Sequence, residues 1–224
     1  MEHHHISAER LTVARLGEIL ERRLPVTLSD DARARIVRCR EYLDRKMEHP
    51  ERPIYGITTG FGSLCDISVG RDELAQLQRN LVMSHACGTG ERVPSEIVRL
   101  ILLLKIQSLS YGHSGVQLAT VERLAEFYNR GILPVVYQQG SLGASGDLAP
   151  LAHMSLPLLG LGEVECEGRV RPASEVLGEL GWNPLELQSK EGLALLNGTQ
   201  FMAAYGVWAL LAARRLSGLS LIHI

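Results

Sequence analysis

The chain has 224 residues, of which 46% are hydrophobic and 21% are charged, and its formal net charge is −2 at pH 7. These values are ordinary for a soluble globular protein with one domain or one and a half. Because the chain carries no basic block, neither nucleic acid nor an anionic membrane surface is expected as its main partner.

The first half of the chain predicts helices on either side of one long loop. That loop covers residues 53–70 and is rich in glycine, and long loops inside compact domains usually carry function. Helix ends are set by residues such as Ser29, which precedes two acidic residues, and Gly131, which follows a periodic segment. The predicted helices are one capped by Ser7 and closed at Pro25, one from Ser29 to about Met47, one from Arg71 to Ser84, one from Pro94 to about Tyr111, and one from Gln117 to Arg130.

The second half is also mainly helical. Residues Val164–Val170 alternate about a glycine turn and predict a small β-hairpin, the only clear strand signal. Pro157 is expected to end or kink the short helix that contains it. The predicted helices are Asp147–Leu159, Ser174–Leu180, Gly192–Leu196, and a long apolar helix that Thr199 opens and that runs to about Leu216.

Features of the whole chain predict a cytoplasmic protein with no membrane partner. The apolar stretches Leu100–Leu104 and Phe201–Ala213 are too short for a bilayer span, which takes about 20 residues, and are expected to form buried helices. The N-terminus lacks the apolar region of a secretory signal peptide. The cysteines have no metal-binding or redox spacing, so free thiols are expected, with neither a disulfide nor a metal site. They are Cys39, Cys65, Cys87 and Cys166.

The most distinctive segment is the octet Gly143–Pro150, in which small residues form a glycine-rich loop before a predicted helix start at Asp147. Glycine lacks a Cβ and lets such a loop bend where other residues cannot. A phosphate-binding loop would need a Gly-Lys-Ser/Thr ending, and a nucleophile elbow would need glycine at position 147, so both are disfavoured. A plain turn in which Asp147 caps the next helix is the remaining alternative.

The octet and its continuation Leu151-Ala152-His153 closely resemble the signature of the aromatic amino-acid ammonia-lyases, the histidine/phenylalanine/tyrosine family. Three further segments match that family in the right order, and the four motifs together cover most of the chain. The three are Tyr55–Gly62, similar to the family's tyrosine loop, Leu81–Gly90, similar to its substrate-selectivity segment, and Glu191–Gln200, similar to its asparagine motif. One departure is Thr58, where histidine-specific members usually carry asparagine.

The resemblance implies a cofactor made from the chain itself, with no external cofactor and no metal. Attack of Gly146 N on the Ala144 carbonyl carbon, loss of water and dehydration of Ser145 would give a 4-methylidene-imidazol-5-one. The exocyclic methylidene carbon from Ser145 would bond the amino group of the substrate and make it a better leaving group.

The resemblance also implies two catalytic roles outside this triplet. Tyr55 would be the general base for the β-proton, although a phenol with a pKa near 10 is weak for this unless its site lowers that value. Asn197 would donate to the imidazolone oxygen, where negative charge develops. The alternatives are a half-buried loop aromatic at Tyr55 and a helix-breaking Asn-Gly turn at Asn197, and the second is compatible with catalysis.

Ser84 and His85 are the candidate substrate-binding residues. The Ser-His pair resembles histidine-specific members of the family, whereas phenylalanine and tyrosine lyases more often carry Phe-Leu or His-Leu there. Histidine can bond an imidazole and also a phenol. His153 and His113 are expected to be structural.

The resemblance therefore implies a mainly α-helical, aspartase-like fold with residues 1–198 as the imidazolone-bearing domain and 199–224 as the start of a truncated central helical bundle. The small-molecule substrate would be an amino acid: L-histidine, giving urocanate and ammonia. The alternatives are a tyrosine or phenylalanine lyase or aminomutase of the same family, or an inactive fragment. The intact parent would be a homotetramer, and the chain alone, which lacks the family's carboxylate-binding arginine, is expected to be inactive.

Overall fold

The computed structural model describes residues 2–48, 57, 73–140 and 143–222, and this part of the chain is mainly helical. The helices are α1 (Val13–Glu21), α2 (Asp30–Glu48), α3 (Leu74–His85), α4 (Ser95–Ser110), α5 (Leu118–Arg130), α6 (Leu148–Ser155), α7 (Ala173–Glu179), α8 (Glu191–Leu196) and α9 (Gln200–Ile222). The strands are β1 (His4–Ile6), β2 (Val26–Leu28), β3 (Thr89–Arg92), β4 (Leu133–Pro134), β5 (Tyr137–Gln139), β6 (Glu163–Cys166) and β7 (Arg169–Pro172).

Helix α4 is the centre of the core. The predicted burial of Leu100–Leu104 is confirmed for its first four residues, which are at most 1% exposed, while Leu104 is half-buried. Helix α4 packs against α2, α5 and α9. An apolar helix with neighbours on several sides needs no polar face, which is why its sequence lacks amphipathic alternation.

Several predicted helix ends are confirmed by hydrogen bonds. Ser29 Oγ accepts from the Ala32 amide at 3.2 Å, so Ser29 caps α2. Gly131 adopts a left-handed conformation with φ +67° at the end of α5, a conformation that glycine adopts without steric cost. Helix α6 changes at Leu156 into a 3₁₀ turn, Leu156–Leu159, because Pro157 has no amide hydrogen to continue the α-helical pattern.

Two expectations about helices are wrong. Helix α1 begins at Val13, and its cap is Thr12, whose Oγ1 accepts from the Arg15 amide; Ser7 Oγ accepts only from the nearby Glu9 amide. The chain before α1 instead forms β1, paired in parallel with β2. Helix α9 is longer than predicted and, within the described part of the chain, buries only Phe201 and Ala204. Its predicted burial over Phe201–Ala213 is wrong, since Met202, Trp208 and Leu210 are exposed: among the described elements α9 packs mainly against α4, which covers one side of it.

The predicted hairpin is confirmed as β6–β7, with Glu167 and Gly168 both at positive φ in its turn. Strand β4 pairs with β6 and extends this hairpin to three strands, and β3 pairs with β5 elsewhere. These extra strands have two to four residues, too short for the alternation that identifies a strand in sequence. No helix in the described ranges is long and apolar enough to cross a membrane.

Candidate active site

The candidate site lies where three helices, α3, α6 and α8, pack against one another. Helix α3 ends within the selectivity segment, α6 begins at Leu148 inside the octet, and α8 forms the first part of the asparagine motif. Three of the four sequence motifs are therefore joined by mutual helix packing. Of the fourth motif, Tyr55–Gly62, only Ile57 belongs to the described residues, and Tyr55 and Thr58 lie outside them.

The octet begins with a tight two-residue turn. Gly146 N donates to Gly143 O at 2.9 Å and Gly143 N donates to Gly146 O at 3.3 Å, which places Ala144 and Ser145 at the exposed tip. Gly146 is buried and has φ +100°, a conformation that L side chains rarely adopt. Ser145 is therefore exposed to solvent, while Gly146, the next residue of the turn, is buried.

Gly146 lies directly against the backbone of the asparagine motif. A Cβ built on Gly146 would stand 2.5 Å from Gly198 O and 3.1 Å from Gly198 N, so no larger residue fits here without backbone movement. The next residue strengthens this contact, since Asp147 N donates to Gly198 O at 2.8 Å. The two motifs, about fifty residues apart in sequence, are therefore in direct backbone contact.

Asp147 occupies the position before α6, but its side chain makes no capping bond to that helix. Its Oδ2 instead accepts from the Met202 amide at 3.0 Å, in the first turn of α9, where a carboxylate is favoured by the helix dipole. Its Oδ1 is buried without a hydrogen-bond partner in the described structure. The plain-turn alternative, in which Asp147 caps α6, is therefore wrong for the side chain.

Asn197 ends α8 and exposes its side chain. Its Nδ2 donates to Leu193 O at 3.1 Å, and its own carbonyl oxygen accepts from Lys105 Nζ at 2.9 Å. The predicted Asn-Gly break of the helix is confirmed at this position. Asn197 directly precedes Gly198, whose backbone contacts Gly146 in the turn.

His85 is held at the end of α3 with a defined hydrogen-bonding pattern. Its Nδ1 lies 2.9 Å from Leu81 O and 3.2 Å from Ser84 Oγ, which itself donates to Leu81 O at 3.1 Å. A carbonyl oxygen only accepts, so Nδ1 of the neutral ring carries the proton and Nε2 carries the lone pair. His85 can therefore accept a hydrogen bond from a substrate N–H or O–H.

The selectivity segment is fastened to the octet loop by β3–β5. Thr89 pairs with Gln139, and Gly140, which leads into the loop, packs against Ala149 and the Gly88 backbone. In addition, His153 Nε2 accepts from the Gly88 amide at 2.9 Å. This antiparallel pair fixes the end of α3 relative to the start of α6, and no strand was predicted in either segment.

The predicted structural role of His153 is confirmed. Its ring is buried against the edge of Tyr137, and burial lowers the pKa of His153 below its usual value. A neutral ring suits the acceptor role of Nε2 toward Gly88. His113, by contrast, is exposed.

Two buried charged residues support the site and were not predicted. Lys105 is 1% exposed in the middle of α4; burial lowers its pKa to about 7, and the nearby Asp147 carboxylate acts in the opposite direction. Glu191, at the start of α8, is fully buried and accepts from Thr120 Oγ1, Gln117 N, Gln117 Nε2 and Gln188 N. The sequence signal for Lys105 was a charge at the end of an apolar run, and Glu191 was named only as the first residue of the asparagine motif.

Within the described residues, no group of three or more His, Cys, Asp or Glu side chains could hold a metal ion. Cys39, Cys87 and Cys166 are free thiols, while Cys65 lies outside the described part.

Comparison with known proteins places the chain among lyases. The profile of the aromatic amino acid lyase family matches residues 11–224. The histidine ammonia-lyase of Deinococcus radiodurans is 52% identical over 208 residues, which are 93% of this chain and 38% of that protein. The histidine ammonia-lyase of Symbiobacterium thermophilum is 50% identical over 196 residues, 88% of this chain and 38% of that protein.

Solved structures of lyases and aminomutases are also similar to this chain. The phenylalanine aminomutase of Pantoea agglomerans has a TM-score of 0.91 and 34% identity over 97% of this chain and 42% of that chain. The histidine ammonia-lyase of Trypanosoma cruzi has a TM-score of 0.86 and 36% identity over 96% of this chain and 41% of that chain. The predicted ammonia-lyase fold is confirmed, and the chain spans about two-fifths of the length of these relatives.

Proposed function

The chain belongs to the aromatic amino acid lyase family, and we propose that it is the imidazolone-bearing part of an enzyme that eliminates ammonia from L-histidine to give urocanate. The observation that carries this proposal is the backbone contact between Gly146 and Gly198, with Ala144 and Ser145 exposed above it. It brings the triplet and the asparagine motif together around one turn.

The residues present fit a 4-methylidene-imidazol-5-one formed from Ala144, Ser145 and Gly146. Ring closure joins Gly146 N to the Ala144 carbonyl carbon, and these atoms belong to one tight turn closed by the Gly143–Gly146 hydrogen bonds. The absence of a Cβ on Gly146 leaves room for the Gly198 backbone. When formed, this group supplies an electrophilic carbon that bonds the amino group of the substrate and makes it a better leaving group.

The remaining site residues act on the substrate or on the group's oxygen. Asn197 is exposed and directly precedes Gly198, which contacts the turn; its Nδ2 is proposed to exchange its bond with Leu193 O for the ring oxygen, stabilising charge where it develops. His85 Nε2 accepts the imidazole N–H of the substrate and orients its ring. Tyr55 is the proposed base for the β-proton on the strength of its motif alone.

Histidine is preferred over other aromatic amino acids for two reasons. His85 presents an acceptor to the substrate ring, and the relatives with the highest identities described above are histidine ammonia-lyases. The same acceptor would bond the phenol of tyrosine, and the structural likeness extends to a phenylalanine aminomutase. A tyrosine or phenylalanine lyase or aminomutase is therefore the second candidate.

The proposal includes properties of the whole protein that rest on the resemblance. These are a homotetramer, a cytoplasmic location, the absence of any external cofactor or metal, and a division into an imidazolone-bearing domain over 1–198 and the start of a helical bundle from 199. The chain by itself is proposed to be inactive.

The test is turnover by the full-length protein that carries this chain. We would compare kcat/KM for L-histidine, L-tyrosine and L-phenylalanine, following the unsaturated products by absorbance and β-amino acids by chromatography. Urocanate and a clear preference for histidine are expected, because a site that hydrogen-bonds the substrate ring discriminates against analogues, such as phenylalanine, that leave its polar group unpaired. A clear preference for tyrosine or phenylalanine, or a β-amino acid product, would move the assignment to the second candidate.

A further inference from the structure

Lys105 is a buried amine in a helix that is otherwise part of the apolar core. It is 1% exposed, and its neighbours Leu103 and Ile106 are fully buried. Its Nζ donates to the carbonyl oxygen of Asn197, 2.9 Å away and 92 positions later in the chain. Burying an amine in an apolar core is unfavourable unless the amine has a specific partner. The contact with Asn197 therefore indicates that Lys105 has a structural or functional role.

Lys105 holds one end of a short backbone segment whose other end touches the octet loop. The Asn197 carbonyl accepts from Lys105, and the next carbonyl, that of Gly198, accepts from Asp147 N at 2.8 Å. The Gly198 backbone also closes against Gly146. Two consecutive carbonyl groups are therefore fixed, one from the core helix α4 and one from the start of α6.

The charges nearby are compatible with this arrangement, here called the clamp, in which Lys105 and the Asp147 amide hold the carbonyl groups of Asn197 and Gly198. Burial lowers the pKa of Lys105 to about 7, while the Asp147 carboxylate favours the charged amine. Both the ammonium and the neutral amine carry N–H groups, so the contact with Asn197 does not depend on the charge. Asp147 is itself held by the Met202 amide, which ties the clamp to the first turn of α9.

We propose that Lys105 is a positioning residue: it holds the Asn197–Gly198 peptide group against Gly146, and thereby sets both the direction of the Asn197 amide and the shape of the turn that cyclises. This inference rests on the proposed function, because the Asn197 amide has a ring oxygen to donate to only when the imidazolone forms. Lys105 acts through Asn197 and not on the substrate, because its Nζ is buried whereas Ser145 is exposed.

The test replaces Lys105 in the full-length protein by methionine, which has similar length and no N–H. Gln107→Met is the matched control, because Gln107 is also buried in α4 and also donates to a backbone carbonyl, that of Ser7 at 2.8 Å, away from the octet loop. The readouts are the fraction of protein that has lost two waters by intact mass, kcat and KM separately, and the thermal midpoint.

Loss of one hydrogen bond from a frequently charged donor is expected to lower kcat of Lys105→Met at least about tenfold and to lower the cyclised fraction, with KM changed less. Gln107→Met should keep the cyclised fraction and kcat even if it is less stable. A folded Lys105→Met protein with wild-type cyclisation and kcat overturns the inference. Equal losses in both variants also overturn it, since they show a general effect of core polarity.

The wild-type protein separates this inference from the proposed function. If the wild type neither loses two waters nor makes urocanate, the proposed function fails, and the inference falls with it. If the wild type does both and Lys105→Met is unaffected, only the inference fails. Should Lys105→Met not fold, a crystal structure of the full-length protein decides: Lys105 Nζ on Asn197 O with the Asn197 amide on the imidazolone oxygen supports the inference, and Nζ directed elsewhere overturns it.

Discussion

Gly146 and Gly198 are in such close contact that a Cβ on Gly146 would stand 2.5 Å from the Gly198 carbonyl oxygen. Through this contact the octet loop rests on the asparagine motif. Backbone packing, and not a side-chain bond, therefore sets the spacing between the turn that carries Ala144 and Ser145 and the residue Asn197. The contact also explains why position 146 admits only glycine.

Gly146→Ala is expected to prevent normal cyclisation and to destabilise the protein. The added Cβ meets Gly198 O, and φ +100° is strained for alanine, so a loss of about 1–3 kcal/mol in the free energy of unfolding is expected. Chemical unfolding and intact mass measure the two effects. The matched control is Gly143→Ala, where a Cβ has nothing within 4 Å. Equal behaviour of the two variants would contradict the close contact.

His85→Phe is expected to lower kcat/KM for histidine by roughly 10–100-fold, because the substrate N–H loses its acceptor and is left unpaired in the site. Turnover of phenylalanine should fall much less or rise. The exposed His113 provides the control variant His113→Phe, which should leave the ratio of the two substrates unchanged. An unchanged ratio in His85→Phe would remove His85 from substrate recognition.

His153 is expected to make stability depend on pH below neutrality. Burial lowers the pKa of His153 from its usual 6.5, so the unfolded state binds more protons and stability falls as pH falls from about 6.5 through the lowered value. The difference in free energy of unfolding between wild type and His153→Gln should shrink by up to about 1.4 kcal/mol per pH unit in that window. Denaturant titrations at pH 7.5, 6 and 5 measure it. A difference that stays constant with pH, or grows toward acid, would contradict a neutral His153.

Residues 1–224 alone are expected to lack ammonia-lyase activity. The matched motifs supply no arginine for the substrate carboxylate, and poor positioning forfeits part of the roughly 7–11 kcal/mol that orientation contributes to catalysis. Helix α9 also exposes large apolar side chains such as Trp208, Leu216 and Ile222, which favour aggregation over an ordered tetramer. Size-exclusion chromatography and urocanate absorbance test this. A tetramer of this chain with turnover near that of the full-length protein would refute it.

The sequence predicted the helices well and the short strands poorly, for a physical reason. Helices such as α4 and α5 carry apolar periodicity and end residues over more than ten positions, so local signals suffice. Strands β3 and β5 have four and three residues and are defined only by each other. Helix α9 shows a second limit of sequence-based prediction. Its hydropathy indicates an apolar surface that packing would cover, but not which part of the protein covers it.

The motifs named the candidate residues His85, Ser145 and Asn197, whose catalytic and binding roles stay predictions. In the structure, the helices that carry or adjoin these residues pack against one another. The buried position of Lys105 could not be predicted, because a lysine that directly follows the apolar run Leu100–Leu104 is expected to mark its exposed, polar end. Its role depends on a contact with a residue 92 positions away, which only the folded chain brings within reach.

Formation of the electrophile from Ala144, Ser145 and Gly146 is best tested by the intact mass of the full-length protein that carries this chain, with peptide mapping of the region around Ser145. We expect a mass lower than that of the sequence by two water molecules, with the loss confined to the triplet. Ser145→Ala should abolish both this loss and the activity. An unmodified protein that is fully active would contradict the account.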